Sequence, residues 1–397
     1  MNNDSVGPSG GITFKDAAPM ALDRTVGWRY FAERGDVYEI DGEWYLTSLE
    51  AVRFAHQHPE IFSSARAFDS LGSPVPLVPL AIDAPDHVRY RRILDPMFAP
   101  RVINQIEDSL RAQVGELIDS FLDKGSVDLM AELAVPYPSQ VIMTLFGLPL
   151  EDRDQFLAWN QAILETEGAT LGNPTEQQAT AAMALFGYLQ GFIDAKRTSP
   201  GDDLISSIVT LQGDDAWTDA ELLGMCFLFV LAGLDTVTAS IGFVMMYLAN
   251  DPELRQRIIE QPELTQPFIE EVLRLEMPAP MTPRVTTREV EVCGKTIPEG
   301  AYCSLVLATV NRGPDRGDAA NSIDFDHADR GHLTFGGGIH RCLGSHLARR
   351  ELRLVVEEFN KRVGDMSLAE GHVPEIVWPS GTLHFRTLPI TFARRGA

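Results

Sequence analysis

The longest apolar stretch of the chain, residues 221–250, constrains the fold more than any other feature. Its apolar residues cover every side of a helix, and a helix of this kind lies inside a large core or crosses a membrane. The uninterrupted apolar run, 222–234, is shorter than the roughly 20 residues that a membrane-spanning helix needs, and it ends at Asp235. The stretch therefore predicts a buried central helix with other elements packed around it.

Helical patterns dominate the rest of the chain, and strand patterns are short. Strand-like segments flank Asp41-Gly42, a two-residue hairpin signal, and Ser48 is expected to cap a helix that runs to about Gln57. We therefore expect a mainly α fold with small β-sheets. The remaining helical segments are 102–122, 150–165, 175–197, 218–249 and 264–276, and the strand segments are 37–40, 43–47, 290–293 around a Gly294-Lys295 turn, 302–307 and 383–392.

The segment 335–344 is rich in glycine and reads Phe-Gly-Gly-Gly-Ile-His-Arg-Cys-Leu-Gly. Glycine accepts backbone angles that other residues avoid, so this loop can lie close to a flat cofactor with Cys342 directed at it. The segment 345–359 has helical spacing, and the N–H groups and positive dipole of its first turn would favour a thiolate at Cys342. The alternative is a buried structural cysteine behind a glycine-rich turn.

The cysteine loop is the last of several motifs that follow one another along the chain. In this combination the chain resembles the cytochromes P450, and among them the soluble bacterial type of the camphor-hydroxylase class, from about residue 35 to residue 392. The motifs are Ala-Gly-Leu-Asp-Thr at 232–236, Glu271 and Arg274 three residues apart, Arg284, Asn311-Arg312, Phe325-Asp326 and the loop of Cys342.

The resemblance implies a P450 fold that holds haem b between the oxygen-activating helix at 221–250 and the helix after the cysteine loop. Cys342 would be the axial thiolate ligand, and the haem would not be attached covalently, because the chain has no Cys-x-x-Cys-His. The two haem propionates would need partners, since a buried carboxylate without them is costly. The cofactor-binding residues that the resemblance implies are His87, Arg91, Arg284, His340, Phe335, Gly338, Gly344, Ala232 and Gly233.

Asp235 and Thr236 are the catalytic residues that the resemblance implies. A carboxylate can relay protons from solvent, and a hydroxyl can steady the oxygen that receives them. Thr236 can also donate to the carbonyl of Ala232 in its own helix, and both interpretations can hold. Gly233 would let the helix open locally at this point.

The resemblance gives Glu271 and Arg274 a structural role as a buried ion pair behind the haem. A third member of the network usually follows the Phe325-Asp326 position, and here either His327 or Arg330 fits it. The sequence does not decide between these two residues.

The segment 71–80 is rich in proline and aliphatic residues, which favours a semi-rigid lid over the substrate with little capacity for hydrogen bonding. We therefore expect a small or medium hydrophobic substrate, such as a terpenoid or a branched lipid. The substrate-pocket residues that the resemblance implies are Leu231, Ala232, Asp235, Met281, Thr282, Thr382 and Leu383.

Composition favours one soluble catalytic domain over residues 1–397, with about 1–12 flexible. Hydrophobic residues make up 45% of the chain, and no linker, repeat or charge block divides it. The N-terminus has no signal-peptide pattern, and the four cysteines have neither disulfide nor zinc spacing. We expect a cytoplasmic monomer that lies on no membrane. The net charge of −23, from 33 basic and 56 acidic residues, argues against nucleic acid as a partner.

Two basic segments stand out in this acidic chain. Between residues 338 and 353 four arginines face one acid, Glu351, and the segment 89–92 adds three arginines. By the resemblance, both segments would flank the thiolate side of the haem. They predict a docking patch for an acidic ferredoxin-type redox partner, and the alternative is an ordinary solvated helix face. The arginines of these segments are Arg89, Arg91, Arg92, Arg341, Arg349, Arg350 and Arg353.

Three functions fit the sequence. The leading one is a monooxygenase that uses O2 and electrons from NAD(P)H through a ferredoxin reductase and a ferredoxin, and Asp235-Thr236 favours it. The second is a peroxide-using or rearranging P450, which often lacks that acid–alcohol pair. The third is a thiolate-haem sensor without catalysis, and no sensing or DNA-binding module adjoins the domain to support it.

Overall fold

A computed structural model of the protein describes residues 13–21, 23–68, 73–164, 175–326, 331–379 and 381–396. The prediction of a flexible segment at 1–12 and the two alternatives for the third network member, His327 and Arg330, lie outside the described residues. The prediction of a mainly α fold with small sheets is confirmed by the elements that follow.

The helices are α1 Arg24–Ala32, α2 Leu49–Gln57, α3 Ala65–Phe68, α4 Asp86–Met97, α5 Pro100–Phe121, α6 Pro136–Phe146, α7 Arg153–Leu164, α8 Glu176–Thr198, α9 Leu204–Val209, α10 Asp219–Asn250, α11 Pro252–Glu260, α12 Thr265–Leu275, α13 Leu307–Asn311 and α14 Ser345–Arg362. The strands are β1 Val37–Ile40, β2 Glu43–Leu46, β3 Phe62–Ser63, β4 Ser126–Asp128, β5 Met281–Thr286, β6 Val290–Val292, β7 Lys295–Ile297, β8 Tyr302–Val306, β9 Val363–Leu368 and β10 Pro389–Arg394.

Helix α10 is the centre of the helical core. It begins with a capping box, in which Thr218 and Glu221 each accept from the other's backbone N–H, and it contacts α6, α8, α12 and α14. The helix continues unbroken through Asp235 for 32 residues, so the argument from a short apolar run is wrong: by length and composition α10 could cross a membrane. However, 61% of its most apolar window is buried inside the protein, as expected of a core helix.

The strands form three small sheets. The largest has the order β1-β2-β8-β5-β3, and the other two have the orders β4-β10-β9 and β6-β7. The β1–β2 hairpin turns at Asp41 and Gly42, which both have positive φ, as the sequence predicts. The turn between β6 and β7 differs from the prediction by one residue, because Cys293 and Gly294 adopt the positive φ angles. The C-terminal strand is also shorter than predicted, since Leu383 precedes it.

The segment 73–85 crosses the first half of α10 and is anchored there. An added Cβ at Gly224 of α10 would lie 1.9 Å from the backbone carbonyl oxygen of Pro76, so the two backbones are in direct contact. Leu77 and Val78 are buried in the core. The expected lid is therefore fixed to α10 at its middle, with part of its apolar surface used for packing.

Candidate active site

The glycine-rich loop directs Cys342 into the protein. The backbone N–H of Cys342 donates to the carbonyl of Phe335 at 2.8 Å, which closes the loop, and Gly336 and Gly338 have φ angles of +66° and +63°. Such angles are strained for other residues. The Cys342 side chain is accessible, although protein surrounds it closely enough to desolvate the thiol. The other three cysteines are either buried or at the β6–β7 turn.

Opposing effects act on the pKa of the Cys342 thiol. Burial raises it above its ordinary value, whereas a hydrogen bond from the backbone of Gly344 and the charges of Arg91, Arg349 and Arg341 lower it in part. The sequence predicted this help from the first turn of α14, and Gly344 lies immediately before that helix. The surroundings therefore contain groups that stabilise a thiolate once a metal offsets the cost of burial.

The loop needs glycines because helix α2 lies against it. An added Cβ would lie 2.6 Å from Nδ1 of His56 at Gly337 and 2.4 Å from the His56 carbonyl oxygen at Gly338. The sequence led us to expect a glycine at 338 because the backbone must approach the cofactor closely. The close contact with His56 is a second reason for a glycine at this position. At Gly344, by contrast, an added Cβ would meet no atom within 4 Å.

Two histidines near the loop have ring nitrogens without a partner. Both nitrogens of His87 and Nε2 of His340 are buried and have no hydrogen bond within the part of the chain that the structure describes. The ring centroids lie 4.4 Å apart. Burial lowers the pKa of His87 to about 4 and that of His340 to about 3, and Arg91 and Arg284 respectively add to the effect. Both imidazoles are therefore neutral at pH 7, and each has one N–H to donate.

Arg284 on β5 is a buried cation without an ion-pair partner. No carboxylate among the described residues lies within ion-pair distance of it, and its one hydrogen bond runs from Nη1 to the carbonyl of Pro283 at 2.6 Å. Burial lowers its pKa to about 10, and only the charge of Asp83 opposes the shift. Arg91 differs, because its Nε lies 2.7 Å from Asp95 and its Nη1 donates to the Arg341 carbonyl at 2.7 Å.

The chemistry of this group fits the predicted haem propionates. A buried arginine and two buried imidazoles without acceptors leave an energetic cost that anionic oxygens would remove. Cys342 lies two residues beyond His340 and keeps an accessible side chain, which a metal ligand needs. The residues present therefore fit a flat metal cofactor that bears carboxylates.

Helix α10 presents a small set of residues that the core leaves open. Ala232 is exposed and Leu231, Asp235 and Thr236 are half-buried, although the helix around them is largely buried. The Thr236 hydroxyl donates to the Ala232 carbonyl at 2.8 Å, the structural alternative noted from the sequence. Burial raises the pKa of Asp235 to about 6, and its carboxylate has no hydrogen-bond or ion-pair partner among the described residues.

Gly233 has a different role from the one expected. An added Cβ would lie 2.9 Å from Cδ1 of Ile142, so this glycine lets α10 approach α6. The helix does not open there. Gly233 therefore has a helix-packing contact in this structure, and its contact with the cofactor stays a prediction.

Glu271 and Arg274 form a buried ion pair with two hydrogen bonds of 2.8 and 2.7 Å. The remaining N–H groups of Arg274 donate to backbone carbonyls, and Glu271 accepts from the backbone N–H of Asp324 at 3.0 Å. The pair thus holds the chain between α13 and the cysteine loop. The carbonyls that Arg274 contacts belong to Asn311, Ala319, Ala320 and Ser322, at 2.8–3.1 Å.

Two further links between α12 and the loop were missed by the sequence analysis. Asn311 accepts from the Leu333 N–H at 2.7 Å and donates to Thr334 at 3.0 Å, and Thr334 donates to the carbonyl of Leu273 at 2.8 Å. The sequence pointed to Asn311 only as part of a motif. Nothing in its local pattern indicates these partners.

Glu270, next to Glu271, makes the second of these links. It accepts from His332 at 3.0 Å and from Arg349 of α14 at 2.7 Å. Hydrogen bonds from these two residues lower the Glu270 pKa to about 2 against the opposing effect of burial. Arg349 also lies over the ring of Phe335, 4.2 Å from its centroid. Phe335 therefore packs under an arginine that α12 holds.

The pocket predictions differ in outcome. Met281 and Thr282 of β5 and Thr382 are half-buried, and the Thr282 hydroxyl is a buried group without a partner among the described residues. Leu383 is only 1% exposed and its backbone N–H donates to the Pro278 carbonyl. It packs in the core in this structure, and its assignment to the pocket stays a prediction.

The basic segments are largely neutralised by acids from elsewhere in the chain, which corrects the prediction of a strongly basic island. Arg341 is the one exposed arginine of the set for which no carboxylate lies within ion-pair distance in the described ranges. The paired arginines are Arg89 with Glu221, Arg91 with Asp95, Arg92 with Asp215, Arg349 with Glu270, Arg350 with Glu107, and Arg353 with Glu107 and Glu357.

Comparison with known proteins gives consistent matches. The family model described as Cytochrome P450 matches residues 45–360. The chain is 33% identical to the Vitamin D(3) 25-hydroxylase of Pseudonocardia autotrophica, over 89% of each chain. Among solved structures, the open cytochrome P450 EryK from S. erythraea matches with a TM-score of 0.86 and 28% identity, over 96% of this chain and 100% of that one. CYP109E1 from Bacillus megaterium in complex with corticosterone matches with a TM-score of 0.83 and 26% identity, over 92% and 96%.

Proposed function

The chain belongs to the cytochrome P450 family of haem-thiolate monooxygenases, and from this premise we propose that it inserts one oxygen atom from O2 into a small or medium hydrophobic substrate. Cys342 is the thiolate ligand in this proposal, and Arg284, His87, His340 and Arg91 hold the propionates. Asp235 is the observation that carries the proposal: a half-buried carboxyl with a pKa of about 6 and no partner among the described residues, next to a threonine hydroxyl.

When bound, the haem with its thiolate ligand activates dioxygen and favours cleavage of the O–O bond. The chain itself must deliver protons to a site that is otherwise apolar. A carboxyl with a pKa near 6 both takes up and releases protons at neutral pH, so Asp235 acts as the proton relay. The hydroxyl of Thr236 already donates to the Ala232 carbonyl, so its oxygen can serve only as an acceptor for a further hydrogen bond.

Replacement of Thr236 tests this assignment. Thr236→Ala should uncouple the enzyme, with NAD(P)H consumed and hydrogen peroxide released, because the hydroxyl that steadies the proton path is lost. Thr236→Ser keeps the hydroxyl and should retain most of the coupling. The ratio of product to NAD(P)H consumed measures the effect, and full coupling in Thr236→Ala would contradict a role for Thr236 in proton delivery.

The substrate in this proposal is a terpenoid or a branched lipid. Leu231, Ala232 and Met281 offer apolar surface, and the lid at 73–80 adds little hydrogen bonding. The Thr282 hydroxyl is available for one polar group on such a molecule. The similar proteins are named for vitamin D(3) or were solved with corticosterone, so they support no single compound.

The electron source in this proposal is an acidic ferredoxin reduced by NAD(P)H. With most of the basic segments paired, docking would depend on Arg341, which is exposed next to Cys342, more than on the total number of arginines. Opposite charges at the rim of such an interface chiefly accelerate the encounter. We place the protein in the cytoplasm as a monomer.

An optical titration of the purified ferric protein tests the proposed function. Terpenoids, branched fatty acids, steroids and small aromatics are added in turn, and the haem spin state is followed. A shift with one class identifies the substrate to test for O2- and NAD(P)H-dependent product. Turnover with peroxide and no redox partner would favour the peroxide-using alternative, and a reduced protein that binds ligand but consumes no oxygen would favour a sensor.

A further inference from the structure

His56, at the end of helix α2, lies beside the propionate-binding group without having been assigned to it. It occupies the last turn of α2, and α2 packs on the short turn Gly338–His340 that precedes Cys342. Its carbonyl oxygen faces Gly338 and its Nδ1 faces Gly337, both within the distance at which a Cβ would collide. The ring is therefore pressed against the cysteine loop from the α2 side.

The side chain of His56 also belongs to the same electrostatic group as the propionate ligands. The charge of Arg284 lowers the pKa of His56, and His56 in turn lowers the pKa of His340, in both cases beside the larger effect of burial. Among the described residues, the His56 ring has no hydrogen-bond partner and no carboxylate within ion-pair distance. The charge that acts on the ring is that of Arg284, so an anion bound by Arg284 would complement both side chains.

We propose that His56 is a positioning residue of the cofactor site, which buttresses the cysteine loop through Gly337 and Gly338 and donates a hydrogen bond to the carboxylate that Arg284 binds. The inference rests on the proposed function, because that carboxylate belongs to the haem. A neutral imidazole has one N–H donor, and donors of this kind next to a buried arginine fix both the position and the charge of a carboxylate.

The alternative is that His56 only fills space between α2 and the loop. The two interpretations differ in what a substitution must preserve. If the ring only packs, a side chain of similar size is sufficient. If the ring donates a hydrogen bond, an amide side chain should preserve its function and a hydrocarbon side chain should not.

The test compares His56→Gln with His56→Leu in the haem-loaded protein. The readouts are the rate of haem transfer to a haem-free scavenger protein and the reduction potential of the haem. We expect His56→Leu to lose haem about tenfold faster, the effect of about one lost hydrogen bond to a charged group, with a shifted potential. His56→Gln should stay within about twofold of the wild type. His58→Leu is the control, since His58 is two residues away and bonds only with the exposed Glu60.

Equal haem loss from the Gln and Leu variants, or wild-type behaviour of His56→Leu, would overturn the proposal. Failure of the proposed function itself is recognised separately: wild-type protein would then show no thiolate-type spectrum of the reduced carbon monoxide complex.

Discussion

The two buried arginines near the site show how partners decide the role of a residue. Arg274 is 1% exposed, and Glu271 together with four backbone carbonyls satisfies its guanidinium. Arg284 is 6% exposed and has a single carbonyl contact. The hydrogen-bond donors of Arg274 are satisfied within the fold, whereas most donors of Arg284 are available to bind an anion. The two residues are of the same type and similarly buried, and only their neighbours distinguish a structural arginine from one that can bind a ligand.

At the same scale, Asp235 should make stability depend on pH. Burial raises its pKa from 3.8 to about 6, so the charged form is penalised in the folded state above pH 6. The penalty is absent well below pH 4, where the carboxyl is neutral in both states, grows as the pH rises from about 4 to about 6, and is fully present above pH 6. Asp235→Asn should therefore be more stable than the wild type at pH 7.5, by at most about 3 kcal/mol, and lose most of this advantage between pH 6 and pH 4.

Unfolding in denaturant at several pH values between 4 and 8 measures this difference. Asp154→Asn is the control, because Asp154 is 86% exposed and its replacement should change little at any pH. A constant difference between Asp235→Asn and the wild type across this range would show that burial of charge is not the cause.

At the scale of elements, the contact between α10 and the segment 73–85 fixes the proposed lid to the core. Pro76 lies on Gly224, two turns before Leu231 and Ala232, and the buried Val78 holds the following residues in place. A backbone contact of this kind leaves no side chain that can move aside. The lid is therefore positioned by the same helix that carries Asp235 and Thr236.

Gly224→Ala should displace the lid, because the new Cβ would lie 1.9 Å from the Pro76 carbonyl oxygen. We expect about 1–3 kcal/mol of destabilisation and faster exchange of substrate, measured as the dissociation rate in the spin-state assay. Gly191→Ala is the matched control: it lies inside α8 with open space around it and should gain up to about 1 kcal/mol of stability. Similar behaviour of the two variants would argue against the contact.

The network between α12 and the cysteine loop is a second link between elements. Removal of Arg274 leaves Glu271 buried without its partner and frees the chain that both residues hold, so Arg274→Ala should cost roughly 3–5 kcal/mol and prevent haem loading. Haem content and unfolding in denaturant measure this. Arg153→Ala, which breaks an exposed pair with Asp154, should cost less than about 1 kcal/mol. A stable, haem-filled Arg274→Ala protein would contradict the structural role.

At the scale of the whole molecule, the fold redistributes charge. The chain has 23 more acidic than basic residues, and six of the seven arginines in the two basic segments pair with acids that lie outside those segments, five of them with acids far away in the sequence. A patch that looks strongly basic along the chain is thus close to neutral on the surface. Arg341 remains as the exposed cation beside Cys342.

Arg341→Gln should therefore slow reduction by an acidic ferredoxin more than Arg353→Gln does, although both remove one charge. Arg353 already pairs with Glu107 and Glu357, and its loss changes little at the surface. Stopped-flow reduction at low and high salt measures the difference, which should shrink as salt screens it. The spectrum of the reduced carbon monoxide complex must stay unchanged in both variants. Equal slowing by the two changes would remove Arg341 as the main docking charge.

The sequence by itself determined the features that depend on neighbouring residues along the chain. Asp41-Gly42 fixed a hairpin because positive φ angles are local, Ser48 capped α2, and the order of motifs around Cys342 identified the family. Tertiary structure alone decided which distant groups meet: Glu107 and Glu270 against the arginines, Ile142 against Gly233, Pro76 against Gly224, and His56 against the cysteine loop. Pairing and burial depend on through-space distances between residues far apart in the chain, and no local pattern encodes those distances.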